Sequence, residues 1–321
     1  MRHVFILNPA AGKNDSTCKL AAEIQHICKQ RGLNYEIRCT QMAGHATELV
    51  KEELESTPDE ICRIYACGGD GTLNEVVAGA ALYPNAEVAC FPCGTGNDFV
   101  KNFDGLPHFQ SFEDLIDGEA TDIDLMEIGG RHAINICTTG LDARVADWAS
   151  KNKRKCVFSG SFPYKVSVLV NIFGKIPRTY KIIADGVDLS GEYTIMVIAS
   201  GRHYGGSYHA VPDAQPDDGW LHLLFVKKVS RPVIASLIGK YEAGKYKELG
   251  DYVLRTRAKS VTFIGETEEP INLDGEIIPM RDFTVRLAER KLRFVVPKGA
   301  SLIYTAYENP SDPLREYAVS D

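Results

Sequence analysis

The stretch Arg63-Ile64-Tyr65-Ala66-Cys67-Gly68-Gly69-Asp70-Gly71-Thr72 decides how this chain is read. A short apolar run bounded by glycines reads as a buried strand and a tight turn. The residues from Thr72 to Ala80 then read as a helix. The same order recurs on both sides. Residues 3–7 form a strand that runs into Asn8-Pro9-Ala10-Ala11-Gly12-Lys13, after which Leu20, Ile24 and Ile27 fall at helical spacing up to a stop at Gly32. Residues 35–40 and 46–54 repeat strand and helix, and residues 88–91 feed a third glycine turn, Gly94-Thr95-Gly96-Asn97-Asp98. Regular alternation with short connections predicts an α/β domain over residues 1–124, built on a parallel sheet covered on both faces.

Beyond Asp124 the pattern changes. Short strands are predicted at 133–136, 180–184, 193–199, 221–226, 260–264, 283–287 and 292–295. Turn signals such as Asp185-Gly186, Asp218-Gly219 and Asp274-Gly275 separate many of them. Helical segments interrupt at 142–150 and 232–240. Residues 125–297 are therefore expected to form a second, mainly antiparallel β-sandwich domain. The tail, 298–321, is expected to pack back on the first domain.

The three glycine turns each follow a predicted strand, and in a parallel sheet all emerge at one edge, where ligands bind. Glycine lets the backbone approach a phosphate, and helix starts supply N–H donors. Lys13 adds a cation, and Thr72 and Thr95 add hydroxyls. Asp70 and Asp98 would repel phosphates directly, so they make sense with Mg²⁺ between them and the phosphates. A helix N-cap is the alternative for either. No G-x-x-x-x-G-K-[ST] loop occurs, and no G-x-G-x-x-G fingerprint.

Bulk composition narrows the field. The chain has 321 residues, 44% hydrophobic and 25% charged, with a formal net charge of -7. That balance argues against a general nucleic-acid binder. The nine cysteines are odd in number and scattered, as expected of reduced core residues. Cys90-Phe91-Pro92-Cys93 has metal spacing but no second pair, and it reads as structural. The N-terminus starts in a strand, without the apolar region of a signal peptide. The longest apolar stretch, 166–173, is interrupted by Ser167 and Asn171 and falls well short of the ~20 residues of a membrane span. A cytoplasmic protein with peripheral lipid contact is the expectation.

Three patterns together resemble the diacylglycerol kinase catalytic-domain family, which includes bacterial diacylglycerol kinases and the sphingosine and ceramide kinases. They are Asn8-Pro-x-x-Gly12-Lys13, Gly68-Gly-Asp-Gly-Thr-Leu-Asn-Glu75-Val and Gly94-Thr-Gly-Asn-Asp98-Phe. Gly140-Leu141-Asp142-Ala143, Gly205-Gly206, Pro212-x-Ala214, Asp218-Gly219 and Asn272-Leu273-Asp274-Gly275-Glu276 extend the likeness through the second domain.

The resemblance implies an ATP-dependent lipid kinase, with a nucleotide site at Asn8, Gly12, Lys13, Thr40, Ala66, Cys67, Gly68, Gly69, Asp70, Gly71, Thr72, Glu75, Gly94, Thr95, Asn97 and Asp98. It also implies a structural Mg²⁺ on the Asp218 carboxylate and the main-chain oxygens of Gln215 and Trp220. Neither Gln215 nor Trp220 is the usual aliphatic residue there. The late acidic turn is placed at the cleft, with Glu276 as the base toward the lipid hydroxyl and Asp274 orienting it or joining the Mg²⁺ network. An ordinary hairpin turn is the alternative for Asp-Gly-Glu. A homodimer is compatible with the resemblance.

Lys151-Asn152-Lys153-Arg154-Lys155, with Trp148, Phe158, Phe162 and Tyr164, suits an anionic bilayer surface, a solvated helix end being the alternative. Asp142 reads as a helix cap, and His203 and His209 as surface or core histidines. Two other functions fit the same turns: an NAD kinase-like small-molecule kinase, or a catalytically silent lipid or nucleotide sensor.

Overall fold

Strands buried on both faces need continuous apolar runs, and the first domain supplies them. In the computed structural model, which describes residues 1–12, 14–152, 178–206, 208–308 and 312–314, the chain opens with β1 (Arg2–Leu7), α1 (Thr17–Arg31), β2 (Tyr35–Cys39), α2 (His45–Ser56), β3 (Cys62–Gly68), α3 (Asp70–Ala80) and β4 (Ala86–Pro92). These strands pair in parallel in the order β2-β1-β3-β4. Every residue of β3 and β4 is buried. Val4, Ile6, Ile64, Val88, Val76 and Val77 are among the core residues that seal strands to helices. Each such side chain contributes roughly 1.5–3 kcal/mol on burial. A Cβ on Gly79 would meet Val50 Cβ at 2.8 Å and Thr47 O at 2.9 Å, so glycine there lets α3 lie close on α2.

After β5 (Phe103–Asp104), α4 (Phe112–Ile116) and β6 (Glu119–Ile123), the chain enters the second domain. It contains β7 (Met126–Ile128), β8 (Arg131–Ala133), β9 (Ile136–Gly140), α5 (Leu141–Asn152), β10 (Arg178–Ala184), β11 (Val187–Asp188), β12 (Gly191–Ala199) and β13 (Leu221–Lys227). It continues through α6 (Arg231–Glu242), β14 (Val253–Ala258), β15 (Ser260–Ile264), β16 (Glu269–Leu273), β17 (Glu276–Met280) and β18 (Phe283–Leu287). All the strand pairs in this domain are antiparallel. Alternation along β12 feeds two cores: Met196 and Ile198 pack on one face, Val197 and Ala199 on the other. An α/β domain followed by an antiparallel β domain is the architecture that the alternation predicts.

One strand is corrected. The pattern groups residues 292–295 with the second domain, but β19 (Leu292–Val296) returns to the first sheet, parallel to β4 and antiparallel to β6. Alternating burial of Leu292 and Phe294 marks a strand. It does not say which sheet receives it. The chain then runs over the junction: β20 (Ser301–Leu302) pairs with β5, and Ile303 N–H donates to Asn102 O at 3.0 Å. Gln215 Nε2 donates to Thr305 O at 2.9 Å, and Leu314 is buried in the second domain's core.

Candidate active site

The three glycine turns do meet at one edge of the first sheet, and side chains lock them together. Asn8 Oδ1 accepts Ala10 N–H at 2.9 Å, closing the first turn, while its Nδ2 donates to Thr72 Oγ1 at 2.8 Å. The second and third turns touch through backbone: a Cβ on Gly94 would stand 2.6 Å from Gly69 Cα. A side chain is excluded at Gly94 and would be tight at Gly69, where a Cβ would stand 3.2 Å from Gly94 Cα. Asn97, at φ 50, bridges its own turn, accepting Gly94 N–H at 3.1 Å and donating to Gly94 O at 2.8 Å. Thr95 is exposed and Thr72 is buried at the start of α3. Gly12, at φ 79, brings the first turn against Cys93 O, where a Cβ would come within 2.8 Å. Lys13 lies outside the described residues, as do the cations and aromatics at 153–164; Lys151 pairs with Asp147 at 2.7 Å.

Several residues assigned to the nucleotide site serve the scaffold. The side chains of Ala66 and Cys67 are buried in β3, and Thr40 is buried just beyond β2, its N–H donating to Leu7 O at 2.9 Å. Glu75 turns toward α2, accepting Gly44 N–H at 2.8 Å and Ala46 N–H at 3.1 Å. It closes the positive end of that helix.

The acids sort into different states. Asp70 opens α3 with Gly69 at the cap position, so it is not the N-cap residue. Its Oδ1 accepts Asp98 N–H at 2.5 Å. Burial, and then the charge of Asp98, pushes its carboxyl above the usual carboxylate range. Asp98 itself is clamped: Oδ1 takes Lys101 Nζ at 2.7 Å and Oδ2 takes Gly206 N–H at 2.9 Å. Lys101 also donates to Gly206 O at 2.9 Å, so the pair ties the first domain to the Gly205-Gly206 turn of the second. The sequence signal for Lys101 is its i+3 spacing from Asp98, which matters only where the chain turns helically, as it does at 99–102.

Asp274 enters from the other domain. Held at φ 47, it donates its own N–H to Ile136 O at 3.0 Å. Its Oδ2 accepts the N–H groups of Ile134 at 2.9 Å and Asn135 at 3.2 Å, and Oδ1 accepts that of Ile136 at 2.6 Å. The residue keeps some exposed surface, but its carboxyl lies deep between the domains. Burial pushes it up to about 6 against the pull of those amides, and the charge of Asp70 adds to the rise. The glycine turn and the late acidic turn thus face each other electrostatically. Glu276 does not join them by contact: it is exposed at the start of β17 and accepts Arg131 Nη1 at 2.5 Å.

Asp70 suits a catalytic cation. It forms no ion pair among the described residues, its charge is resisted by burial and by Asp98, and Mg²⁺ commonly needs only one or two protein carboxylates beside substrate phosphates. The loop from Gln215 to Trp220 does not suit one. Asp218 Oδ1 accepts Trp220 N–H at 3.0 Å, His222 Nε2 lies 3.0 Å from Oδ2, and Arg257 Nη1 lies 4.0 Å from the same oxygen. A divalent ion there would compete with donors and cations already in place.

Beside the cleft, α5, α6 and β12 to β14 enclose an almost wholly apolar cavity of about 60 Å³. Leu141, Val145, Ile195, Val226, Leu237 and Ile238 line it. At its polar end the hydroxyls of Tyr204 and Tyr241 lie 2.8 Å apart, with Asp142 in the wall at the first turn of α5. Tyr204 is two residues from Gly206, whose N–H holds Asp98. His203 and His209 stack with centroids 4.1 Å apart, and burial pushes His203 down to about 4. No helix among the described residues is long and apolar enough to cross a membrane.

Comparison with known proteins bears on both domains. Residues 2–128 match the family described as the diacylglycerol kinase catalytic domain. Residues 135–296 match that described as the YegS C-terminal NAD kinase beta sandwich-like domain. The chain is 28% identical over 275 residues to a diacylglycerol kinase of Staphylococcus carnosus, covering 85% of this chain and 87% of that one. It is 28% identical over 299 residues to a diacylglycerol kinase of Bacillus subtilis, covering 92% and 96%. A crystal structure of a diacylglycerol kinase from Bacillus anthracis aligns with a TM-score of 0.67 at 21% identity, covering 92% and 96%. At that identity the likeness speaks for the fold.

Proposed function

The chain belongs to the diacylglycerol kinase catalytic-domain family, a family of lipid kinases, and from that premise we propose that it transfers the γ-phosphate of ATP to a lipid hydroxyl, with diacylglycerol as acceptor and phosphatidic acid as product. One observation carries the reading: acids from different domains, Asp70 and Asp274, come near enough for the charge of one to act on the other, and the second domain holds an apolar cavity. A dinucleotide acceptor would have no use for such a cavity, whose apolar lining suits a hydrocarbon chain.

Phosphoryl transfer needs positioning and charge neutralisation more than covalent chemistry. The glycine turns receive the phosphates on backbone N–H groups, with Thr72 and the exposed Thr95 beside them. Asp70 would hold Mg²⁺, which would supply charge neutralisation on the transferring group. Asp98 and Lys101 keep the domains at a fixed separation. Asp274 spends its lone pairs on three amides, which makes it a positioning residue for the late turn. Among the described residues Glu276 has Arg131 as its one side-chain partner, so it accepts the proton of the lipid hydroxyl. The acyl chain lies along Val226 and Ile238 in the cavity, which requires peripheral contact with a membrane.

The test is labelled ATP with diacylglycerol, sphingosine, ceramide and NAD, each offered separately. Label on diacylglycerol alone supports the proposal in full, and label on NAD overturns it. Full turnover in Glu276→Gln would remove Glu276 from the base role.

A further inference from the structure

The acidic loop at the domain junction carries its own cations. Asp124, the last residue before the chain enters the second domain, is 3% exposed. It receives Lys291 Nζ on Oδ1 at 2.8 Å and Gly219 N–H on Oδ2 at 2.7 Å. Lys291 is the residue just before β19 carries the chain back, so one ammonium touches both crossings between the domains. It also donates to Asp217 O at 3.3 Å, and Tyr304 Oη donates to Asp217 Oδ2 at 2.7 Å. Asp218 has His222 and Arg257, and the Arg257 guanidinium lies 5.2 Å from the Trp220 ring and 4.1 Å from the Tyr307 ring.

We infer that this junction is held without a metal ion: Lys291 on Asp124 and Arg257 beside Asp218 supply the positive charge that the family resemblance assigns to a structural Mg²⁺ between Gln215, Asp218 and Trp220. The physical ground is competition. A compact divalent ion demands oxygen donors in near-octahedral array and pays repulsion toward any cation already seated among them. An ammonium fixed by the fold needs no such array, and breaking a pair whose acid is buried leaves that acid uncompensated.

The inference is tested by thermal unfolding of the nucleotide-free protein, so that the cation accompanying ATP plays no part. The expected melting temperature differs by less than about 1 °C between excess EDTA and excess MgCl₂, since a ligand absent from the folded state cannot stabilise it. Lys291→Met should melt about 5 °C lower, and Lys291→Arg close to the parent. A parent melting temperature that rises with MgCl₂, with the rise surviving in Asp70→Asn, overturns the inference. So does Lys291→Met melting like the parent. Should Lys291→Met fail to fold, the EDTA and MgCl₂ comparison on the parent decides by itself.

Discussion

Two groups of acids in this molecule, a short distance apart along the domain boundary, are treated in opposite ways. At the junction, Asp124 and Asp218 each face a side-chain cation. At the cleft, Asp70 and Asp274 form no ion pair among the described residues; burial pushes both carboxyls up, as it does that of Asp124, with the charge of Asp98 adding at Asp70 and that of Asp70 adding at Asp274. The contrast separates structure from chemistry. Acids that hold the fold are neutralised by the fold, whereas acids that serve a reaction are left short of positive charge until a ligand brings it. Asp98 stands between the two classes, touching Asp70 through its amide and Lys101 through its carboxylate.

The comparison can be broken most directly at Asp70. Asp70→Asn should lower kcat/KM about 10³-fold while raising the melting temperature, because it removes an acid that burial disfavours. Steady-state kinetics beside thermal unfolding check both signs, and a fall in melting temperature would place Asp70 with the structural acids. Narrowing the cavity should act on the lipid alone. Ile238→Trp is expected to raise KM for long-chain diacylglycerol about 10-fold, leaving KM for ATP unchanged.

Acid titration gives a smaller effect. The folded value of Asp274 lies above the ordinary carboxylate value, so its protonated form favours folding. The stability from that proton is full below about pH 4 and is lost as pH rises through about 6. Turnover should move the other way, declining below about pH 6 as the carboxylate that holds three amides is neutralised. A pH–rate profile whose acid limb is unchanged in Asp274→Asn would detach Asp274 from that limb.

The first domain was legible because its signals are local. A buried parallel strand is an unbroken apolar run, and each glycine turn lies directly after one. The second domain's antiparallel pairing was legible in kind, but β14, β16 and β17 were not marked. Pro270, Asn272 and Pro279 break the alternation of β16 and β17, and arginines do so in β14. Likeness places Glu75 and Thr40 at the nucleotide; the structure adds that the Glu75 side chain caps α2 and that Thr40 is buried at a strand end.

By itself, the sequence determined that glycine turns with acids would gather at the edge of a parallel sheet, since spacing along one chain sets both periodicity and turn position. The tertiary structure alone decided which acids meet which charges. Asp274 faces Asp70 across 204 residues of sequence, and Lys291 reaches Asp124 only because β19 returns to the first sheet. Electrostatic partnership depends on distance through space and on burial. Neither can be read from order along the chain.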